Sequence, residues 1–210
     1  SEMCIRDRKL HDYVSQLSGT AVSAFNRTEQ KAFWINLYNA LTVQVVLDHY
    51  PVESIREISI SPGFFTTGPW GKKLVEIEGE PVSLDDIEHR ILRPIWKDPR
   101  IHYAVNCASL GCPNLASEAF HAGNLETLLD RGARDYVNHP RGVMLEGGRL
   151  KVSSIYKWFA ADFGGNDAGV IAHLRRYAAP GLSRALEGVD AIDDYGYDWS
   201  LNRPGSAGRE

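Results

Sequence analysis

Apolar residues recur along this chain at helical spacing in some stretches and alternate in others, and the changes between the two lay out its elements. Over residues 9–17, Leu10, Tyr13, Val14 and Leu17 fall on one helical face, and Gly19 ends the run. A second helix is predicted from Glu29, capped by Thr28, to about Tyr50, where Pro51 stops it. Phe33, Trp34, Ile35, Leu37, Tyr38 and Leu41 make it apolar nearly all round, so it is predicted to run through the core.

The helical pattern breaks over residues 61–72, where Pro62, Gly63, Gly68, Pro69 and Gly71 interleave with Phe64, Phe65 and Trp70. This is a loop with adhesive side chains, a candidate lid, and Trp70 is its candidate ligand contact. Residues 73–77 alternate as a strand and turn at Glu78-Gly79-Glu80. Ser83 then caps a short helix over 84–92, with Asp86 as capping-box partner and Pro94 as its end. A strand is predicted over 101–106, with a loop over 107–115. There follow a helix over 125–137 capped by Asn124, a hairpin of 143–145 and 149–152 around Gly147-Gly148, and helices over 155–163 and 167–177, with a shorter one after Pro180. No repeat or low-complexity linker divides the chain. The fold class is therefore α+β: a single compact domain over residues 9–202, mostly helical, with a small antiparallel sheet and a long buried central helix, and a flexible tail over 203–210.

Composition narrows the function. With 43% hydrophobic residues over 210 positions, the chain can bury a core without a disulfide or metal to hold it. Its net charge is -4 and it has no basic stripe, so nucleic acid is not an expected partner. No apolar stretch reaches the roughly twenty residues of a membrane span. The first eight residues, Ser1-Glu2-Met3-Cys4-Ile5-Arg6-Asp7-Arg8, read like a translated sequencing adapter at the edge of a metagenomic fragment. On that expectation Cys4 is an artefact, a signal peptide could have been lost, and the compartment stays open.

Four motifs concentrate polar residues inside apolar runs. They are Phe33-Trp34-Ile35-Asn36-Leu37-Tyr38-Asn39-Ala40; Ser83-Leu84-Asp85-Asp86-Ile87-Glu88-His89 with Ile91-Leu92-Arg93; Arg100-Ile101-His102-Tyr103-Ala104-Val105-Asn106-Cys107-Ala108-Ser109, closing on Cys112-Pro113; and Tyr197-Asp198-Trp199-Ser200-Leu201-Asn202. In this order they resemble the bacterial and plant family catalogued as domain of unknown function 547. One departure is Gly111, where Ser is more usual, and it bears on the hydrogen bonding of the Cys loop. The resemblance names a family and implies no particular activity.

The residues themselves allow two classes of function. In the first, the domain is a cysteine-dependent hydrolase or acyl transferase with Cys107 as nucleophile. Small residues after Cys107 leave room at the sulfur and place backbone N–H groups nearby. His89 is the candidate base, because alternation along the predicted strand turns His102 away from Cys107. Glu88 or Asn36 would orient the imidazole, and His102 is the reserve base. Asn36, Glu88, His89, His102, Ser109 and Cys107 are accordingly expected to converge. In the second class, the domain is a non-catalytic module binding a small molecule or peptide in a groove beside the Trp70 loop, with Asn39 and Ser109 as binding residues.

Plainer roles compete. Cys107 is equally a buried small hydrophobe, Asn36 and Asn39 ties for neighbouring loops, and the Glu88-His89 pair a solvated helix face with Asp85 four residues before His89. His102, Cys107, Cys112 and His121 have the softness of zinc ligands but no recognised zinc spacing, so neither metal nor cofactor is assigned. A Cys107–Cys112 disulfide is open if the protein is exported.

Overall fold

The Asn26 side chain accepts hydrogen bonds from the backbone N–H groups of Thr28 and Glu29, and the Glu29 carboxylate accepts from the Asn26 N–H. This reciprocal box, rather than Thr28, starts α2 (Arg27–Asp48). The cap therefore lies two residues before the one read from the sequence. α2 is the expected long central helix, with Ile35 and Leu37 sealed from solvent. The computed structural model describes residues 2–63 and 66–203, the side chains of residues 2–7 excepted. The expectations placed on the side chains around Cys4, on Phe64 and Phe65, and on the tail beyond Arg203 fall outside that range. α1 (Glu2–Ser18) begins well before residue 9 and packs Leu10, Tyr13, Val14 and Leu17 into the α2 core.

Beyond the Trp70 loop, β1 (Val75–Ile77) and β2 (Glu80–Val82) form an antiparallel hairpin. Glu78 and Gly79 both take positive φ there, as a two-residue hairpin turn of this hand requires. The expected Ser83/Asp86 capping box follows, with Ser83 N–H donating to Asp86 and Asp86 N–H donating to Ser83 Oγ. The next turns are wound as a π-helix over Asp86–Leu92. Pro94 does not end this run. It sits in the first turn of α3 (Arg93–Trp96), where its missing N–H costs nothing, and left-handed Lys97 ends the helix instead.

The strand expected over 101–106 is instead a 3-10 helix, Pro99–Tyr103. Its β-branched and aromatic residues suit a strand, but Asp98 accepts from the Arg100 N–H and Pro99 presets the first turn, which commits the backbone to winding. α4 (Leu125–Val137) has the expected bounds but not the expected cap. The Asn124 side chain accepts from His121 N–H and donates to Ala119 O, so it is unavailable to the helix.

β3 (Val143–Glu146) and β4 (Arg149–Ser153) pair antiparallel, and β5 (Asp194–Gly196) adds parallel to β4, making a mixed three-stranded sheet. The helix expected over 155–163 is broken at Phe159 into α5 (Ile155–Trp158) and a 3-10 turn, Ala160–Phe163. α6 (Asp167–Tyr177) and α7 (Pro180–Ala185) complete an α+β domain. One apolar cluster joins α1, α2, the π-helix and α4. A second lies under α4, α6 and the mixed sheet, and a third joins the end of α2 to Ile55, Ile58 and Leu201. Each fully buried Leu or Ile contributes about 1.5–3 kcal/mol, so these clusters hold the loops between them in fixed places.

Candidate functional site

The Cys107 loop is held from two directions. From α2, Asn39 donates to Ala104 O and accepts from Asn106 N–H, each at 2.8 Å. Asn106 in turn donates to Pro113 O and accepts from Ala108 N–H, which pins Ala108 at a positive φ of 60°. From the C-terminal side, Leu110 N–H donates to Ser200 O, Gly111 N–H to Asp198 O, and Asn202 N–H to Ala108 O, all at 2.8 Å. The third and fourth sequence motifs are thus one structural unit. A Cβ at Gly111 would lie 2.9 Å from Asp198 N and from the Tyr197 ring, so this close approach requires glycine.

The pairing brings Tyr197 to the sulfur. Its hydroxyl lies 3.0 Å from Cys107 Sγ and 2.8 Å from Ser109 Oγ, and Ser109 Oγ lies 3.1 Å from the same sulfur. Burial pushes the Tyr197 hydroxyl well above its usual range, so it keeps its proton at neutral pH. Cys107 and Cys112 are joined as a disulfide, with Cα atoms 6.2 Å apart. Among the described residues, no imidazole lies within hydrogen-bond distance of Cys107 Sγ.

A second group of polar side chains gathers around Glu88. Its Oε2 accepts from Tyr38 O–H at 3.1 Å, while Oε1 lies 3.8 Å from His102 Nδ1 and 4.0 Å from His89 Nδ1. His102 Nε2 meets Asp162 Oδ2 at 2.7 Å, and Arg93 Nε donates to that oxygen at 2.6 Å. The hydrogen bond from His102, with Arg93 adding to it against partial burial, holds the Asp162 carboxyl well below the usual range. Asp162 is therefore ionised, so His102 Nε2 carries a proton and donates it. The His102 ring stacks on Phe159 at 4.2 Å between centroids. Burial raises Asp85 above the ordinary carboxylate value.

Members of both groups, among them Cys107, Tyr197, Glu88, His89 and His102, line one cleft of about 480 Å³. Trp70, Trp158, Phe159 and Trp199 supply its apolar surface, and Trp158 and Trp70 stand 5.5 and 5.9 Å from Trp199. Because residues 99–103 wind rather than extend, His102 and Cys107 open on the same cleft, contrary to the strand-based reading that turned them apart. Glu88, His89, His102, Cys107 and Trp70 are brought together here, with Ser109 buried against the sulfur.

Asn36 does not join them. Its amide donates to Phe120 O and accepts from Phe120 N–H, which fixes a different loop, and it does not line the cleft. Of the six residues expected to converge, Glu88, His89, His102 and Cys107 line the cleft, Ser109 lies behind the sulfur, and Asn36 is elsewhere. Asn39 braces the backbone before Cys107 and does not line the cleft. Among the described residues no three His, Cys, Asp or Glu side chains are grouped to hold a metal ion, so the His102, Cys107, Cys112 and His121 set is not assembled. Sequence reasoning missed Asp162, Trp158 and Phe159, and left Tyr197 unassigned although its motif was visible. Asp162 gave no local signal, since its partner is 60 positions away.

No helix among the described residues is long and apolar enough to cross a membrane. A family model described as "Protein of unknown function, DUF547" matches residues 22–137, which takes in the first three motifs and leaves Tyr197-Asp198-Trp199 beyond it. No curated protein and no solved structure matches the chain.

Proposed function

The chain belongs to the DUF547 family, and on that premise we propose that the domain binds a small molecule or a peptide side chain in the cleft beside the Trp70 loop. The observation that carries this reading is the make-up of the cleft: about 480 Å³, walled by indole and phenyl rings, with a few polar atoms left open inside it. Ligand sites have this size and this combination of apolar wall and sparse polar groups. Glu88 Oε1 and His102 Nδ1 are two such atoms, each without a hydrogen bond among the described residues. Saturation-transfer NMR with a set of aromatic fragments and tripeptides tests the reading. Hits should be lost in Trp70→Ala and in Trp158→Ala, the latter at a ring 47% exposed and therefore of little weight in folding. Hits that persist in both variants, or a set with no hits, would rule it out.

A second reading is favoured by one specific contact, the hydrogen bond to Asp162 from His102, which lines the cleft with Cys107. In it, a cellular dithiol reduces the Cys107–Cys112 disulfide, and Cys107 then serves as nucleophile of a cysteine-dependent hydrolase or acyl transferase. His102, ordered by Asp162, becomes the better base than His89, which is exposed and linked to Arg93. Glu88 would orient either imidazole. Chloroacetamide labelling after mild reduction, followed by peptide mapping, tests this. Cys107 should label faster than Cys112 near pH 7 and slow in His102→Gln. Equal, slow labelling of both cysteines would remove the enzyme and leave the binding module.

A further inference from the structure

Resting on the reading that the cleft binds a ligand, we infer that this ligand carries an ammonium or guanidinium group, held by Glu88 and flanked by the cleft's indole rings. The charge of the lining points this way. Asp85 and Glu88 both line the cleft, and among the described residues no Lys or Arg does. Two guanidinium groups stand against its rings: Arg93, engaged by Asp162 and His89, over Phe159, and Arg56 over Trp199.

Glu88 supplies an independent observation. The residue is 8% exposed, and what remains accessible opens on the cleft. Tyr38 satisfies Oε2, but among the described residues Oε1 has only two imidazoles at 3.8 and 4.0 Å, beyond hydrogen-bond distance. An N–H donor from a cationic ligand would complete Oε1 with a charge-assisted hydrogen bond. A neutral ligand would complete it less strongly, and an anion would meet repulsion from Glu88 and Asp85.

The aromatic rings add to the preference. Trp70, Trp158 and Trp199 lie close together on the cleft, and indole faces attract cations through their quadrupole. The protein itself uses one of these rings in that way, since the Arg56 guanidinium stands 5.3 Å over Trp199.

The test uses the full chain and three probes of nearly equal shape: 2-phenylethylamine, 2-phenylethanol and 3-phenylpropionate. Binding is read from the indole N–H resonances, with Trp34 and Trp96, which do not line the cleft, as internal controls. The amine should shift the Trp70, Trp158 and Trp199 signals saturably, and should bind about tenfold more tightly than the alcohol, with the carboxylate weakest. Glu88→Gln, which keeps an acceptor for Tyr38, should abolish most of the amine's advantage and leave the alcohol unchanged. If Glu88→Gln does not fold, Asp85→Asn at the exposed neighbouring carboxylate should still lower it by about threefold. An alcohol or carboxylate that binds as well as the amine, or an advantage indifferent to these substitutions, would overturn the cation and leave the ligand-binding reading standing. No indole shift with any probe would overturn both.

Discussion

His102 Nε2 and Asp162 Oδ2 stand 2.7 Å apart, although 60 positions separate the two residues along the chain. The contact holds the Asp162 carboxyl below its ordinary range, and this has a consequence for acid stability. A carboxyl depressed on folding adds stability that is complete above its unfolded pKa, near 3.9, and is lost as pH falls toward the folded value. Asp98 is depressed as well, its hydrogen bonds from Arg100 and Lys31 outweighing burial. Asp86 is held low in the same way by Lys73, Ser83 and Arg90. The domain should therefore lose stability progressively below about pH 5, and Asp162→Asn should flatten part of that fall. Urea unfolding from pH 3 to 7 reads the slope directly. Identical slopes for the wild type and the variant would show that the contact is not made.

What could be read from the sequence was what depends on local pattern. The apolar periodicity of α2, the bounds of α4 and α6, and the Ser83/Asp86 box all follow from neighbours within a turn or two. The errors arose where a short polar contact outranked propensity. Asp98 and Pro99 wound a segment that reads as a strand, Asn124 turned back to His121, and Asn26 capped α2 ahead of Thr28. At the cleft, Glu88, His89 and Cys107 stood out because they are polar within apolar runs. Asp162 sits in an ordinary-looking turn, and only the packing of Phe159 and Phe163 around His102 brings it into place.

The two asparagines of α2 should differ in which loop they hold. Replacing Asn39 by Ala would strand Ala104 O and Asn106 N–H beside the Cys107 loop, and replacing Asn36 would strand the two Phe120 groups. Each stranded group costs about 1–3 kcal/mol where water cannot replace the partner. Both variants should be destabilised in chemical denaturation, but only Asn39→Ala should raise amide hydrogen exchange at Asn106 and Ala108. Faster exchange at those amides in Asn36→Ala would contradict the assignment.

His173 gives a second pH dependence in a different window. Burial, aided by Arg176, pushes its imidazole down to about 4, and its Nε2 lies 2.7 Å from the Tyr103 hydroxyl. Burial also raises Tyr103, so the phenol keeps its proton and donates to a neutral imidazole. For a histidine depressed on folding, the unfolded chain takes up the proton first, so stability declines as pH drops from about 6.5 toward 4. His173→Phe should flatten the profile in that interval and leave the carboxyl-dependent fall below it. An NMR titration of His173 with a midpoint above 6 would refute this.

Gly111 is a position where this chain departs from the residue its family resemblance leads one to expect, and the packing makes a sharp statement about it. A Cβ there would lie 2.9 Å from the backbone nitrogen of Asp198 and 2.9 Å from the Tyr197 ring. Neither neighbour can move freely. The Asp198 carbonyl accepts from Gly111 N–H, and the Tyr197 hydroxyl is bonded to Ser109 beside the Cys107 sulfur. Gly111→Ser should therefore push the C-terminal segment away from the Cys loop, at a cost of about 1–3 kcal/mol, as overpacking in a fixed site does. It should also weaken the Tyr197 contact with Ser109, which a shift of the Tyr197 ring resonances would record. Tyr197→Ala removes the ring but not the backbone clash with Asp198, so Gly111→Ser should remain destabilising in that background by a smaller amount. A Gly111→Ser variant with an unchanged unfolding midpoint and unchanged Tyr197 resonances would show that the two segments do not approach this closely.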